Sequence, residues 1–166
     1  MNLKLQSLFD MQNELDRRIE RDRGLENEDL VDKKILALQV ELGELANETR
    51  CFKFWSSKAP SEKSVILEEF VDGLHFLLSL GIILPYDVPQ QMQVPELVEE
   101  NLVNAFLKVY EDLTILKNNR DDVNNYVTLM EDYLMIGRLL GFTSEEINEA
   151  YLSKNQVNHT RQDQGY

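Results

Sequence analysis

The most apolar stretch of the chain lies within residues 61–84, and it predicts a buried helix. Its apolar side chains cover most of the circumference of a helical projection: Val65, Ile66, Leu67, Phe70, Val71, Leu74, Phe76, Leu77, Leu78 and Leu80. A helix that is hydrophobic on nearly every side packs inside a protein. Ser61 is the predicted N-cap, and Pro85 follows the predicted end of the helix.

Apolar stripes at the helical period predict five further helices. They run at about residues 3–23, 28–49, 96–117 and 121–140, and from Thr143 onwards. Gly24 and Gly141 mark two of the ends, and Thr143 with Glu146 forms a capping-box pattern. The proline-rich segment Pro85–Pro95 is predicted to be a connector, and Pro95 is predicted to open the fourth helix. No segment shows convincing period-two alternation, so the predicted fold is all-α, a bundle of about six helices.

Length and composition predict one domain over residues 1–166. The chain has 166 residues, of which 43% are hydrophobic and 28% charged, as in an ordinary globular protein. We expect core helices at about 3–84, additional helices at about 95–153 and a C-terminal, substrate-binding tail at 154–166. The tail is basic, and its apolar pattern ceases except at Val157.

The net charge of −13 makes a nucleic-acid backbone an unfavourable partner and favours divalent cations. Cys51 is the single cysteine, so no intramolecular disulfide can form. The first residues lack the apolar core of a signal peptide, and no apolar run reaches membrane-spanning length. We therefore expect a cytoplasmic protein that binds neither membranes nor nucleic acid.

Two pairs of carboxylates, Glu41/Glu44 and Glu69/Asp72, stand three residues apart on two successive predicted helices. This spacing places both members of a pair on one helix face. Glu69 falls within the apolar arc of its helix, where an unpaired carboxylate must take up a proton or pair with a cation. Four such groups facing one another suit Mg²⁺, which prefers oxygen ligands.

The alternative is that these pairs arise by chance, because 30 of the 166 residues are acidic. Glu96/Glu99 and Glu146/Glu149 have the same spacing and are interpreted as solvent-exposed faces.

Two other segments, a loop and the C-terminal tail, carry candidate chemistry. The loop at residues 50–60 interleaves cations and aromatic rings: Arg50, Phe52, Lys53, Phe54, Trp55 and Lys58. Such a loop suits a nucleotide, but it equally suits a hydrophobic cover over the core. In the tail, Lys154, Asn158 and Arg161 recur at helical intervals and would present phosphate and sugar ligands together. The alternative for the tail is a frayed polar terminus.

Two predicted helices place further polar or aromatic residues near the acids. Gln12 and Asp16 share one side of the first helix, where the alternative is an ordinary surface position. Phe76 follows Asp72 by about one turn, as a core residue or as the floor of a base pocket. His75 is interpreted as a structural residue and not as a metal ligand.

These motifs resemble those of the dimeric all-α dUTPases (dUTP diphosphatases), which belong to the MazG-like superfamily of all-α NTP pyrophosphohydrolases. The resemblance covers most of the chain and is carried by E-L-G-E-L-A-N-E at 41–48, F-K-F-W-S at 52–56, E-E-F-V-D-G-L-H-F at 68–76 and K-N-x-x-N-x-x-R-Q-x-x-G-Y at 154–166. It implies hydrolysis of dUTP to dUMP and pyrophosphate, which limits uracil incorporation into DNA.

The resemblance also implies roles for individual residues. Glu41, Glu44, Glu69 and Asp72 would hold two or more Mg²⁺ ions, for which Mn²⁺ can substitute. One of the catalytic pair Glu41 and Glu44, with Glu41 favoured, would also orient or deprotonate the attacking water. The implied substrate-binding residues are Gln12, Asp16, Lys53, Trp55, Phe76, Lys154, Asn158 and Arg161. A homodimer and closure of a mobile helical part over the nucleotide are implied as well.

Two other functions remain open from the sequence. One is an all-α nucleoside triphosphate pyrophosphohydrolase of broader specificity. The other is a non-enzymatic, acidic helical protein that binds a partner or cations.

Overall fold

Six helices form the framework of the part of the chain that the structure, a computed structural model, describes: residues 2–85, 87–88, 91–93 and 101–165. They are α1 (Leu5–Arg23), α2 (Val31–Thr49), α3 (Lys63–Ile83), α4 (Leu102–Asn118), α5 (Val123–Leu139) and α6 (Ser144–Asp163). The predicted all-α bundle is confirmed. None of the helices in these ranges combines the length and apolar character needed to span a membrane.

Helix α3 lies at the centre of the bundle, in contact with α1, α2, α5 and α6. Phe70, Leu74 and Leu77 are among its fully buried side chains, as the apolar pattern predicts. The prediction of Ser61 as its N-cap is wrong, since Glu62 occupies that position without a side-chain cap. The Ser61 hydroxyl instead donates to the Glu48 carboxylate at the end of α2, so the serine joins two helices.

Two buried tyrosines of α5 fix the position of α3. Tyr133 enters beside Gly73, and Tyr126 enters beside Gly81. The Tyr133 hydroxyl donates a 2.7 Å hydrogen bond to the carbonyl oxygen of Phe70. A Cβ atom on Gly73 would lie 2.1 Å from the Tyr133 hydroxyl, so only glycine leaves room for the ring. Helices α3 and α5 therefore pack closely because the glycines of α3 have no side chain at the contact.

A short antiparallel ribbon, not predicted from the sequence, joins the N-terminus to the segment after α3. Strand β1 (Asn2–Lys4) pairs with β2 (Gln91–Gln93), and the Cα atoms of Leu3 and Met92 are partners. Helix α1 thus begins at Leu5, two residues after its predicted start at about residue 3. Strands of three residues are too short to show an alternating pattern.

Helix α4 begins at Leu102, after an N-cap in which the Asn101 side chain accepts from the Val103 amide. The predicted start of this helix at Pro95, the pair Glu96/Glu99 and part of the predicted connector lie outside the described residues. Helix α4 packs on α5 and α2.

Helix α6 contains most of the predicted tail, because it continues without a break to Asp163. Its capping box is confirmed: the Thr143 side chain accepts from the Glu146 amide, and the Glu146 carboxylate accepts from the Thr143 amide. Glu146 also pairs with Lys63 at 2.6 Å, in agreement with its interpretation as an exposed structural residue. The far end of α6 is tied to α1, where the Arg18 guanidinium pairs with Asp163.

Candidate active site

Three carboxylates of α2 and α3 converge at the contact between these helices. Glu41, Glu69 and Asp72 each offer one oxygen atom within 4.8 Å of the others, and all three side chains are half-buried. Glu44, the fourth predicted ligand, is exposed and lies outside this group of three. Glu44 and Glu69 line a neighbouring recess, so the pair spacing places Glu44 at the edge of the same acidic surface.

The carboxylates raise one another's affinity for protons. Burial raises the pKa of Glu41 to about 7, and the charges of Asp72, Glu44 and Glu69 act in the same direction. Burial also raises the pKa values of Glu69 and Asp72. Hard oxygen donors that are partly desolvated and mutually repelling fit a hard divalent cation, because the cation removes both costs.

Lys154 of α6 places a positive charge in direct contact with this acid cluster. Its Nζ atom lies 2.7 Å from Asp72 Oδ2 and 3.0 Å from Glu68 Oε1. The Lys154 side chain is 13% exposed and that of Asp72 is 19% exposed, so the pair is largely shielded from water. Burial raises the pKa of Asp72, and the hydrogen bond and positive charge of Lys154 offset part of that rise.

A cleft of about 210 Å³ opens beside the acid cluster, between α1, α3 and α6. Its lining residues are Gln12, Leu15, Asp16, Ile19, Glu41, Asp72, His75, Phe76, Ser79, Lys154, Asn158 and Arg161. The structure therefore brings together most of the residues that the sequence pointed to, from both ends of the chain.

The floor of the cleft is a buried hydrogen-bond network centred on Gln12. The Gln12 side-chain oxygen lies 2.7 Å from both His75 Nδ1 and the Tyr151 hydroxyl, and the Gln12 amide nitrogen donates to Asp16 at 2.8 Å. The Asp16 carboxylate requires a donor, which fixes the orientation of the Gln12 amide. The His75 Nδ1 atom must then carry the proton, and the imidazole stacks on the Tyr151 ring.

His75, which the sequence analysis interpreted as structural, lines the cleft and is a candidate for ligand binding. Burial lowers its pKa to about 3, so the ring is neutral at physiological pH. Its Nε2 atom is buried and has no hydrogen-bond partner among the described residues, although His75 lines the cleft. In the sequence, the only indication was that His75 follows Asp72 by about one helical turn. A single histidine at such a position is often purely structural.

Asp16 is engaged on both oxygens and holds Gln12 in place. Its Oδ1 atom accepts from Gln12, and its Oδ2 atom accepts from the Ser79 hydroxyl at 2.5 Å and from Lys34 Nζ at 3.2 Å. The side chain is buried. Neither Gln12 nor Asp16 is an ordinary surface residue.

The aromatic loop at residues 50–60 lies on the surface. Phe54 is 93% exposed and Trp55 is 65% exposed, so the loop does not cover the core of this chain. Lys53 bonds the Asn47 side chain, and within the described part of the chain neither Lys53 nor Trp55 lines the cleft. These two predicted substrate-binding residues therefore lie apart from the predicted residues that line the cleft.

Comparison with known proteins gives one family. A family model described as dUTPase matches residues 4–166, essentially the whole chain. The search of curated proteins gives no match.

Proposed function

Because the chain belongs to the dUTPase family and is thus a dUTP diphosphatase, we propose that it cleaves dUTP to dUMP and pyrophosphate with Mg²⁺ held by Glu41, Glu69 and Asp72. The observation that carries this proposal is the convergence of three half-buried carboxylates, two of which, Glu41 and Asp72, line the cleft. When bound, the cation supplies charge neutralisation and polarises a phosphoryl oxygen. The exposed Glu44 offers a further ligand beside Glu69, which supports a second ion.

Glu41 is the proposed group that orients or deprotonates the attacking water. Burial and the neighbouring carboxylates raise its pKa to about 7 in the absence of a metal, so its carboxylate is a stronger base than that of an ordinary glutamate. Its position in the acid cluster and on the cleft wall supports a role beside both the metal and the substrate. Mn²⁺ accepts the same oxygen ligands and is proposed to replace Mg²⁺.

The floor of the cleft is the proposed uracil site. The neutral His75 ring has a lone pair on Nε2 that can accept a hydrogen bond, and uracil carries an N–H donor at N3. Gln12 and Asp16 hold that histidine in the required tautomer, and Phe76 lines the same cleft. This arrangement supports recognition of a pyrimidine by a preformed acceptor and an aromatic wall.

Helix α6 is the proposed phosphate and sugar site. Lys154, Asn158 and Arg161 line the cleft from one face of this helix. Arg161 presents a planar fork of donors suited to phosphate oxygens. Lys53 and Trp55 join the site only through movement of their loop or through a second copy of the chain.

A homodimer is proposed as the assembly. Leu36 and Val40 stand one turn apart on α2 with exposures of 62% and 50%, which supports an apolar contact surface. The single cysteine and the substrate together support a cytoplasmic role in removing dUTP before it reaches DNA.

The test is a turnover panel with dUTP, dTTP, dCTP and the ribonucleotides in Mg²⁺, with identification of both products. We expect dUMP and pyrophosphate from dUTP, little turnover of the other nucleotides and none in EDTA. Equal rates on all nucleotides would instead establish a pyrophosphohydrolase of broad specificity. A protein that turns over none of them would be left as a helical cation- or partner-binding protein.

A further inference from the structure

Lys154 occupies a position that the proposed metal site must share. Its ammonium group contacts Asp72 and Glu68, and Asp72 is also one of the three convergent carboxylates. We propose that Lys154 is an exchangeable counter-cation: it neutralises Asp72 in the metal-free enzyme and passes to the substrate's phosphates when a divalent cation takes over Asp72. This inference rests on the proposed function of the cleft.

The exchange follows from the charges around Asp72. A largely shielded carboxylate needs a positive partner, and Lys154 supplies one at 2.7 Å. A divalent cation on Asp72 would lie within a few ångströms of the ammonium group, and two positive charges this close repel strongly where water is scarce. Lys154 must then turn away from the acid cluster.

The cleft gives Lys154 a second partner when the substrate is present. Lys154 lines the same cleft as Asn158 and Arg161, so a triphosphate bound there offers it fresh oxygen ligands. Without nucleotide, metal binding costs the ion pair with Asp72 and leaves the lysine with only the exposed Glu68 as its acidic partner among these contacts. With nucleotide bound, contacts between Lys154 and the phosphates offset the loss of that ion pair. Metal and nucleotide should therefore strengthen each other's binding, as any linked pair must do reciprocally.

The experiment compares Mg²⁺ affinity of the nucleotide-free protein, measured by calorimetry in 0.15 M salt, with that of Lys154→Met. We expect the variant to bind Mg²⁺ about fivefold more tightly or better, in the range of ordinary coupling effects. The affinity of Lys154→Met for a non-hydrolysable dUTP analogue in Mg²⁺ should fall about tenfold. The factor by which Mg²⁺ improves analogue binding should fall as well.

Two matched variants separate the ion pair from general effects. Lys63→Met removes the same charge and another α3–α6 ion pair, the one with Glu146, and should leave Mg²⁺ affinity within about twofold. Lys154→Arg keeps the positive charge beside Asp72, so its Mg²⁺ affinity without nucleotide should stay below that of Lys154→Met.

Unchanged or weaker Mg²⁺ binding in Lys154→Met overturns the proposal, as does an equal gain in Lys63→Met. The metal titration needs no turnover. A gain in metal affinity in a protein that fails to hydrolyse dUTP would thus uphold the exchange and defeat only the proposed function.

Discussion

The protonation of Glu41 depends on the charges of Asp72, Glu44 and Glu69 beside it, and therefore on whether a metal ion neutralises them. Because Glu41 must lose its proton to ligate a metal, and its pKa is about 7 in the folded protein, protons compete with the metal below neutrality. We expect Mg²⁺ affinity without nucleotide to rise with pH, by at most tenfold per pH unit below about 7, and to level off above it.

Calorimetric titrations between pH 5.5 and 8.5 would measure this dependence. Glu41→Gln should bind Mg²⁺ weakly with a shallower pH profile. A pH profile in Glu41→Gln as steep as that of the unmodified protein would assign the proton to another group.

Two of the four predicted ligands test the metal site at its centre and at its edge, because Glu69 belongs to the convergent group and Glu44 lies at the exposed edge of that group. Glu69→Gln should lower turnover about 100-fold or more through the loss of a metal ligand, and Glu44→Gln should also remove most turnover. Circular dichroism should show an intact fold in both. Normal Mg²⁺-dependent rates in either variant would contradict its assignment.

Asp112 and Asp132 form a second pair of acids, between α4 and α5 and away from the cleft. Asp112 is buried, and burial, with a hydrogen bond to Asp132, raises its pKa to about 7. Lys108 pairs with Asp132 at 2.9 Å. A carboxyl whose pKa is raised on folding stabilises the fold while both states are protonated, and that contribution is lost as the pH rises from about 4 to 7.

Asp112→Asn is therefore expected to raise the free energy of unfolding at pH 8 by about 1 kcal/mol, since solvent near the surface screens part of the effect. Urea unfolding at pH 8 and pH 5 would measure the difference, which should be small at pH 5. A variant that is less stable at pH 8 would show that the ionised pair is favourable.

At the residue scale, the sequence indicated the acid pairs because a helix imposes a fixed spacing, and the structure brings Glu41, Glu69 and Asp72 together. It could not reveal that Asp72 pairs with Lys154, since 82 residues separate them and only the packing of α6 brings them together. It also could not distinguish His75 from an ordinary structural histidine. That distinction depends on the tautomer that Gln12 imposes.

At the scale of the helices, the contact between α3 and α5 depends on glycines that admit aromatic rings. Gly73→Ala would place a Cβ atom 2.1 Å from the Tyr133 hydroxyl and disturb its hydrogen bond to Phe70. We expect a loss of about 2–3 kcal/mol in unfolding free energy, from overpacking and a weakened hydrogen bond. Thermal and urea unfolding would measure it.

Gly43→Ala is the matched control on α2. Its Cβ atom would lie 3.5 Å from the Tyr110 hydroxyl, an ordinary contact, so the better helix propensity of alanine should leave stability unchanged or raise it by up to about 1 kcal/mol. Equal losses from both substitutions would refute the role given to the Tyr133 ring.

The helices themselves were largely predictable, because apolar periodicity and capping residues are local signals. The end of α1 at Arg23, before Gly24, and the capping box of Thr143 are examples. The ribbon at Asn2–Lys4 and the role of Ser61 depend on partners distant in sequence. The sequence predicts a substrate-binding tail at 154–166 because its apolar pattern ceases there, whereas α6 continues to Asp163 and carries Lys154, Asn158 and Arg161 along the cleft.

At the scale of the whole molecule, the proposed dimer gives a direct test. Replacing Leu36 and Val40 with glutamate places charges on the exposed apolar face of α2 and should shift the protein from twice the mass of one chain to a monomer. Sedimentation velocity would measure the mass. The control is Leu152→Glu on α6, a leucine that is 51% exposed and should not change the assembly.

The net charge of −13 would repel a free triphosphate, so the local cations of α6 decide where it binds. Lys154 and Arg161 are seven residues apart on one unbroken helix, which corresponds to about 10 Å along its axis. The helix fixes the spacing of their Cα atoms before any substrate arrives. We expect a triphosphate to gain more than a monophosphate from two cations along one helix, so that α6 favours the substrate dUTP over the product dUMP.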